Sequence, residues 1–312
     1  MYLNNMSQPL RITLRGLVIF LLCTVRLRSE SIAIPNGSFE SPSAVFVNTH
    51  IDSWQKTPKP ADYDESGGYQ WEQLAGVFTN TPATSFDHIE NCDLGQAAYL
   101  FAVPQIGIFQ DYDSTDWSHS SPLHALDVRF EVGSAYDLVV GIIGGGGGML
   151  EGTGLDMGLY YRDTNGTRVV VGVLHVTNSA VSFPNHTRLV DYTLSLPVVK
   201  PDDAWAGQHL GILLVSVAIP ANQGGYWDLD HVRLFKLRSP VLTITKSAGN
   251  GSLVLSWGSE MGYRFQVKSS QDLLTWSDFG SPQDGTGTVL ILPIPTAYTE
   301  GIYFRVEANL AP

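Results

Sequence analysis

The sequence predicts an all-β protein, a jelly-roll β-sandwich followed by a second, smaller β-sandwich. Two observations carry this. Short runs rich in β-branched residues, apolar at alternate positions, recur along the chain between Gly, Asn, Asp and Pro, and no useful length shows the 3.6-residue spacing of an amphipathic helix. Charged residues are 15% of the 312, low for a cytosolic enzyme, while glycine and aromatic side chains are plentiful.

Residues 1–30 read as an export signal. Arg11 and Arg15 precede the apolar run 17–25, which is too short to span a bilayer comfortably, and Arg26 and Arg28 behind it suit a core strand badly. The expected location is therefore secreted, extracellular or in the cell envelope, and no later segment of the mature chain is apolar enough for stable membrane insertion. The formal charge is −12, and losing the first thirty residues removes four arginines and one glutamate, leaving −15. Such a surface repels phosphate backbones, so nucleic acid is excluded as a partner. Cys23 falls within the signal. Cys92 is then alone, forms no intrachain disulfide and reads as a small core residue.

The first module spans residues 31–237, with clear strands at 136–143, 155–162, 169–176, 189–196 and 210–219. Between the second and third, Asn165-Gly166 is a hairpin signal, because that pair accepts positive φ cheaply. Turns at this spacing fit a sandwich or jelly roll. The five glycines at 144–148 have no following helix and no Lys-Ser/Thr, so they read as a flexible loop rather than a phosphate cradle. They also permit close approach to the backbone. Residues 237–240 read as a linker. A second module at 241–312 offers strands at 242–245, 252–257, 263–269, 289–292 and 303–307, enough for a small sandwich.

The first module opens with Ile34-Pro-Asn-Gly-Ser-Phe-Glu40 and closes with Trp227-Asp-Leu-Asp-His-Val-Arg-Leu234. These ends resemble those of galactose-binding-like jelly rolls, among them many xylan- and glucan-binding modules. The run from Gly95 to Leu100 with Gln110, and the run from Phe130 to Leu138, are similar to inner strands of that group. The module also resembles the calcium-dependent Stig cyclases, which share the jelly roll but are enzymes, so fold does not decide function. The second module, through Trp257, Tyr263, Gln266, Ser270, Asp272, Leu273, Trp276 and the 303–306 strand, resembles C-terminal β-sandwiches of secreted Verrucomicrobia-like bacterial proteins.

Three kinds of chemistry are in view. The resemblance places Glu40 and Asp230 at a structural Ca2+ site, where a hard cation would relieve the repulsion of paired carboxylates. His231 stands where many relatives carry another acid or Asn, which alters the rest of that shell. Trp54, Tyr69, Trp71, Tyr112 and Trp117, interspersed with carboxylates and amides, are candidate ligand-binding residues, since sugar rings pack a CH face on an aromatic and need planar polar partners. The alternative for Trp54 is a place in the core. Asp228 stands two residues before Asp230 and shares its strand face, and if the protein is an enzyme it is the acid, held against Tyr226 or Trp227. No other catalytic signature is present: the histidines lack metal-ligand spacing and no nucleophile motif occurs. The sequence thus predicts a non-catalytic binder of an extracellular polysaccharide. The alternatives are a cyclase-like enzyme using Asp228 and a structural or adhesion protein of the envelope.

Overall fold

The computed structural model describes residues 10–14, 17–21, 27–118, 120–123, 125–238, 242–246, 253–259, 261–295 and 302–310. Part of the predicted linker, with His119 and His124, lies outside them. The chain divides into two compact units, one of Ser31–Lys236 and one of Met1–Glu30 with Leu237–Pro312. The strands begin with β1 Leu10–Leu14, β2 Leu17–Leu21, β3 Leu27–Ile32, β4 Val47–Asn48, β5 Gln55–Lys56, β6 Ala75–Thr79 and β7 Gln96–Phe101. They continue as β8 Gly107–Gln110, β9 Ser134–Gly146, β10 Gly154–Arg162, β11 Arg168–Thr177, β12 Val190–Leu196, β13 Gly211–Ser216 and β14 Tyr226–Arg238. The last are β15 Thr243–Lys246, β16 Leu253–Gly258, β17 Tyr263–Ser270, β18 Ser277–Asp284, β19 Val289–Ile294 and β20 Ile302–Leu310.

In the larger unit a five-stranded sheet of order β11-β10-β13-β8-β5 faces a seven-stranded sheet of order β12-β9-β14-β7-β6-β4, in which β3 also pairs with β14. The predicted sandwich is present. Period-two alternation sets the packing. Leu138, Val140 and Ile142 of β9 and Trp227 and Leu229 of β14 meet Met157, Leu159, Ile212 and Leu214 of the facing sheet in one apolar core. Buried aliphatic and aromatic side chains of this kind contribute roughly 1.5–3 kcal/mol each, which explains how the unit holds together without a disulfide. The run from Gln96 and the residue Gln110, alike in the sequence reading, fall in different sheets, β7 in the seven-stranded and β8 in the five-stranded one.

The two ends of the module do meet. Val232 N–H donates to the Gly37 carbonyl, and a Cβ at Gly37 would lie 2.7 Å from the Val232 carbonyl oxygen. Glycine is needed there for lack of space. The hairpin at 163–167 is closed by the Asp163 carboxylate, which accepts the N–H groups of Asn165 and Thr167, and only Gly166 takes positive φ.

The other unit has sheets of order β15-β16-β19 and β1-β2-β20-β17-β18 around Leu255, Trp257, Phe265, Val267, Phe304 and Val306. In it β1 and β2, which lie within the stretch read as an export signal, pair antiparallel, and β2 runs parallel to β20.

Candidate functional site

The outer face of the seven-stranded sheet, away from the core, gathers the groups with chemical potential. Trp227 and Leu229 point into the core, so Tyr226 and Asp228 alternate to the other side. The antiparallel register sets Tyr226 opposite Phe101 and Asp228 opposite Tyr99. Phe101 is the hub: the rings of Tyr69, Tyr99 and Tyr226 each stand 6.0 Å from its centroid, in edge or tilted geometry. Such arrangements are favoured by the ring quadrupoles.

Glycines let these rings lie along the sheet. A Cβ at Gly76 would sit 2.7 Å from the Tyr99 hydroxyl, and one at Gly146 would sit 2.5 Å from the Tyr226 ring. A Cβ at Gly147 would meet the opposite edge of that ring at 2.9 Å, and one at Gly145 would strike His186 at 2.6 Å. The five-glycine run therefore makes room for the protein's own rings and begins inside β9, which reaches Gly146.

Asp228 is the polar centre of this face. Its Oδ1 is buried and has no hydrogen-bond partner among the described residues, and burial pushes its pKa up to about 7. The physical cause is desolvation, which disfavours the carboxylate form. Tyr226 and Tyr99 feel the same environment: burial raises the Tyr99 hydroxyl to about 12, and burial, then the charge of Asp228, raises Tyr226. The carboxyl can accept a hydrogen bond from a ligand, or donate one while protonated.

Of the residues singled out in the sequence, Tyr69 and Asp228 belong to this surface. Trp54 does not. It is fully buried against Phe39 at 5.5 Å, and its indole N–H donates to the Asn36 carbonyl. Trp71 is buried too, with its N–H on the Thr57 carbonyl and Tyr63 edge-on at 4.8 Å. Both fill the core, with each indole N–H bonded inside the protein and no open ring face. Trp117 is 7% exposed, with the Lys56 ammonium 5.3 Å from its ring. Tyr112 stacks on His209 at 3.8 Å. These two sit on the loop after β8 and do not join the Phe101 group. Tyr99 and Phe101 are the site residues that sequence reasoning missed. Their signal was the alternation Ala97, Tyr99, Phe101, hidden because the intervening Ala98 and Leu100 are equally apolar.

The predicted calcium ligands come to one loop, 92–96, but not as a cation shell. Glu40 Oε1 accepts the N–H groups of Gly95 and Gln96 at 2.9 and 2.7 Å. Asp230, fully buried, accepts Asp93 N–H on one oxygen and His231 N–H on the other, both at 2.6 Å. Four N–H groups thus turn their positive ends toward the pair, an arrangement that solvates anions and opposes a cation. Among the described residues no group of three or more His, Cys, Asp or Glu side chains is placed to hold a metal ion. As arranged, the donor set does not fit calcium. Burial still raises Asp230 to about 7, opposed by those N–H bonds and by the Cys92 thiol, whose own pKa burial drives upward. The carboxyl is a buried hydrogen-bonding node between loop 92–96 and β14.

No family model and no curated protein matches the chain. Among solved structures it is similar to the Stig cyclase Fisc from Fischerella sp. TAU, in complex with a pyrrolidinylidene-indole, at 20% identity over 68% of this chain and 100% of that one, with a TM-score of 0.47. It is also similar to the xylan-binding module CBM15, at 9% identity over 68% and 98% with a TM-score of 0.34. The CBM22-1 xylan-binding domain of Paenibacillus barcinonensis Xyn10C matches at 12% identity over 68% and 97%, again with a TM-score of 0.34. Likenesses at this level decide neither ligand nor activity, which rest on the site itself.

Proposed function

We propose that the protein is an exported, non-catalytic module that binds a polysaccharide on the outer face of the seven-stranded sheet. The observation that carries this is the Phe101 group: the partly exposed rings of Tyr69, Phe101 and Tyr226, with Tyr99 buried against them, beside a carboxyl oxygen with no partner among the described residues. Rings lying along a sheet offer the flat apolar contact that a sugar's CH face needs, and tyrosine hydroxyls at their rims are donors and acceptors for sugar hydroxyls. Asp228 Oδ1 would take a hydroxyl donor, removing the cost of an unmet buried acceptor. The test is affinity electrophoresis of the intact protein in gels containing soluble plant, algal or microbial polysaccharides, where one polymer should retard it.

One observation favours a second, enzymatic reading. An Asp whose pKa lies near 7 in a largely apolar setting keeps its proton near neutrality and is suited to general-acid chemistry. The two readings part at Asp228→Asn. A binding site keeps most of its affinity, since the amide still offers a hydrogen-bonding oxygen. An acid catalyst loses turnover altogether.

A further inference from the structure

The other sheet carries a feature that this function does not use. On the outer side of the five-stranded sheet lies a groove of about 590 Å³, with walls that include Pro58, Pro104, Leu213, Val215 and Ile219. The polar groups at Thr57 and Ser216 are satisfied within the protein. Thr57 Oγ1 donates to the Gln105 carbonyl and accepts Gly107 N–H, both at 2.9 Å, and Ser216 Oγ accepts Ala218 N–H at 3.3 Å.

Arg168 also lines the groove, and it differs from the rest. Its guanidinium carbon is held over the Phe109 ring at 4.2 Å, with Tyr160 at 5.9 Å. Its Nη1 is buried and has no acceptor among the described residues. The carboxylate that Tyr160 bonds, Asp111, is already engaged at 2.8 Å by Arg162 Nε. A guanidinium N–H out of water without an acceptor is costly, and a carboxylate is its best-matched partner.

We infer that this groove is a second ligand site, for a small monocarboxylate with an apolar body, whose carboxylate pairs with Arg168 while its chain lies along the proline and aliphatic walls. A single cation in a protein of net charge −12 suits a monoanion and disfavours phosphates and polyanions. A glycan is disfavoured here as well. Phe109 is 3% exposed beneath Arg168, and aliphatic walls give a sugar ring no flat partner.

Calorimetric titration of the intact protein with octanoate, against octan-1-ol as the uncharged control, tests this. Octanoate should bind saturably at one site, and octan-1-ol at least about tenfold more weakly. Arg168→Met, which keeps apolar bulk and removes the charge, should weaken octanoate about 10- to 100-fold, the scale of one charge-assisted contact. The same variant should leave polysaccharide retardation unchanged, so this inference and the glycan reading fail separately. Val215→Trp fills the groove without touching the charge and should abolish octanoate binding, which keeps the test intact if Arg168→Met does not fold. No saturable octanoate binding, equal binding of the alcohol, or unchanged binding by folded Arg168→Met would each overturn the inference.

Discussion

At the scale of single residues, Asp228 ties stability to function. Its pKa is raised in the folded protein to about 7 from an ordinary 3.8, so the native state binds its proton more tightly than the unfolded chain does. Its contribution to stability is therefore complete below about pH 4 and is lost as pH rises through about 7. Asp228→Asn removes the charged form. It should be more stable than the parent at pH 8, by on the order of 1–3 kcal/mol, with the difference vanishing toward pH 4. Urea unfolding of both proteins across that range measures this, and a constant difference would show that Asp228 does not titrate in the fold. Residue identity alone showed that Asp228 and Asp230 share a face, because strand alternation is a local rule. It did not separate Trp54 and Trp71, which fill the core, from Tyr69, which joins the site. A sandwich has aromatic side chains on both sides of its sheets, and only the long-range packing of each ring tells which is buried.

At the scale of elements, long strands were legible and short ones were not. The runs at 136–143, 155–162 and 169–176 became β9, β10 and β11 with margins of at most three residues at each end. Two-residue strands such as β4 and β5 have no period to detect, and β18 carries Gly280 and Pro282, which read as breakers. The glycine run was recognised, but its purpose was not. Seats for His186 and Tyr226 depend on residues about forty and eighty positions away, beyond any local pattern. Gly146→Ala tests that purpose. A methyl 2.5 Å from the Tyr226 ring and 2.8 Å from the Tyr226 carbonyl must displace that tyrosine. Glycan affinity should fall about tenfold or more, measured by isothermal titration, while the far-ultraviolet circular dichroism stays that of a β protein. Unchanged affinity would remove Tyr226 from the site.

At the scale of the molecule, each of the two units is built around its own apolar core, and the larger unit presents two chemically distinct sheet faces. One is aromatic around the carboxyl of Asp228, the other aliphatic beside the guanidinium of Arg168. The N–H groups turned toward Glu40 and Asp230 oppose a cation between them, and the expected outcome is that adding chelator to metal-loaded protein leaves Tm within about 2 °C; a fall of several degrees would restore the ion suggested by the sequence resemblance. The central claim is that the Phe101 face binds a polysaccharide, and affinity electrophoresis of the intact protein with its Phe101→Ala and Tyr226→Ala variants tests it most directly. The account predicts that one polymer retards the parent and neither variant, while Tyr112→Ala, away from that face, is retarded as the parent is. Retardation that survives both substitutions, or no retardation by any polymer, would contradict it.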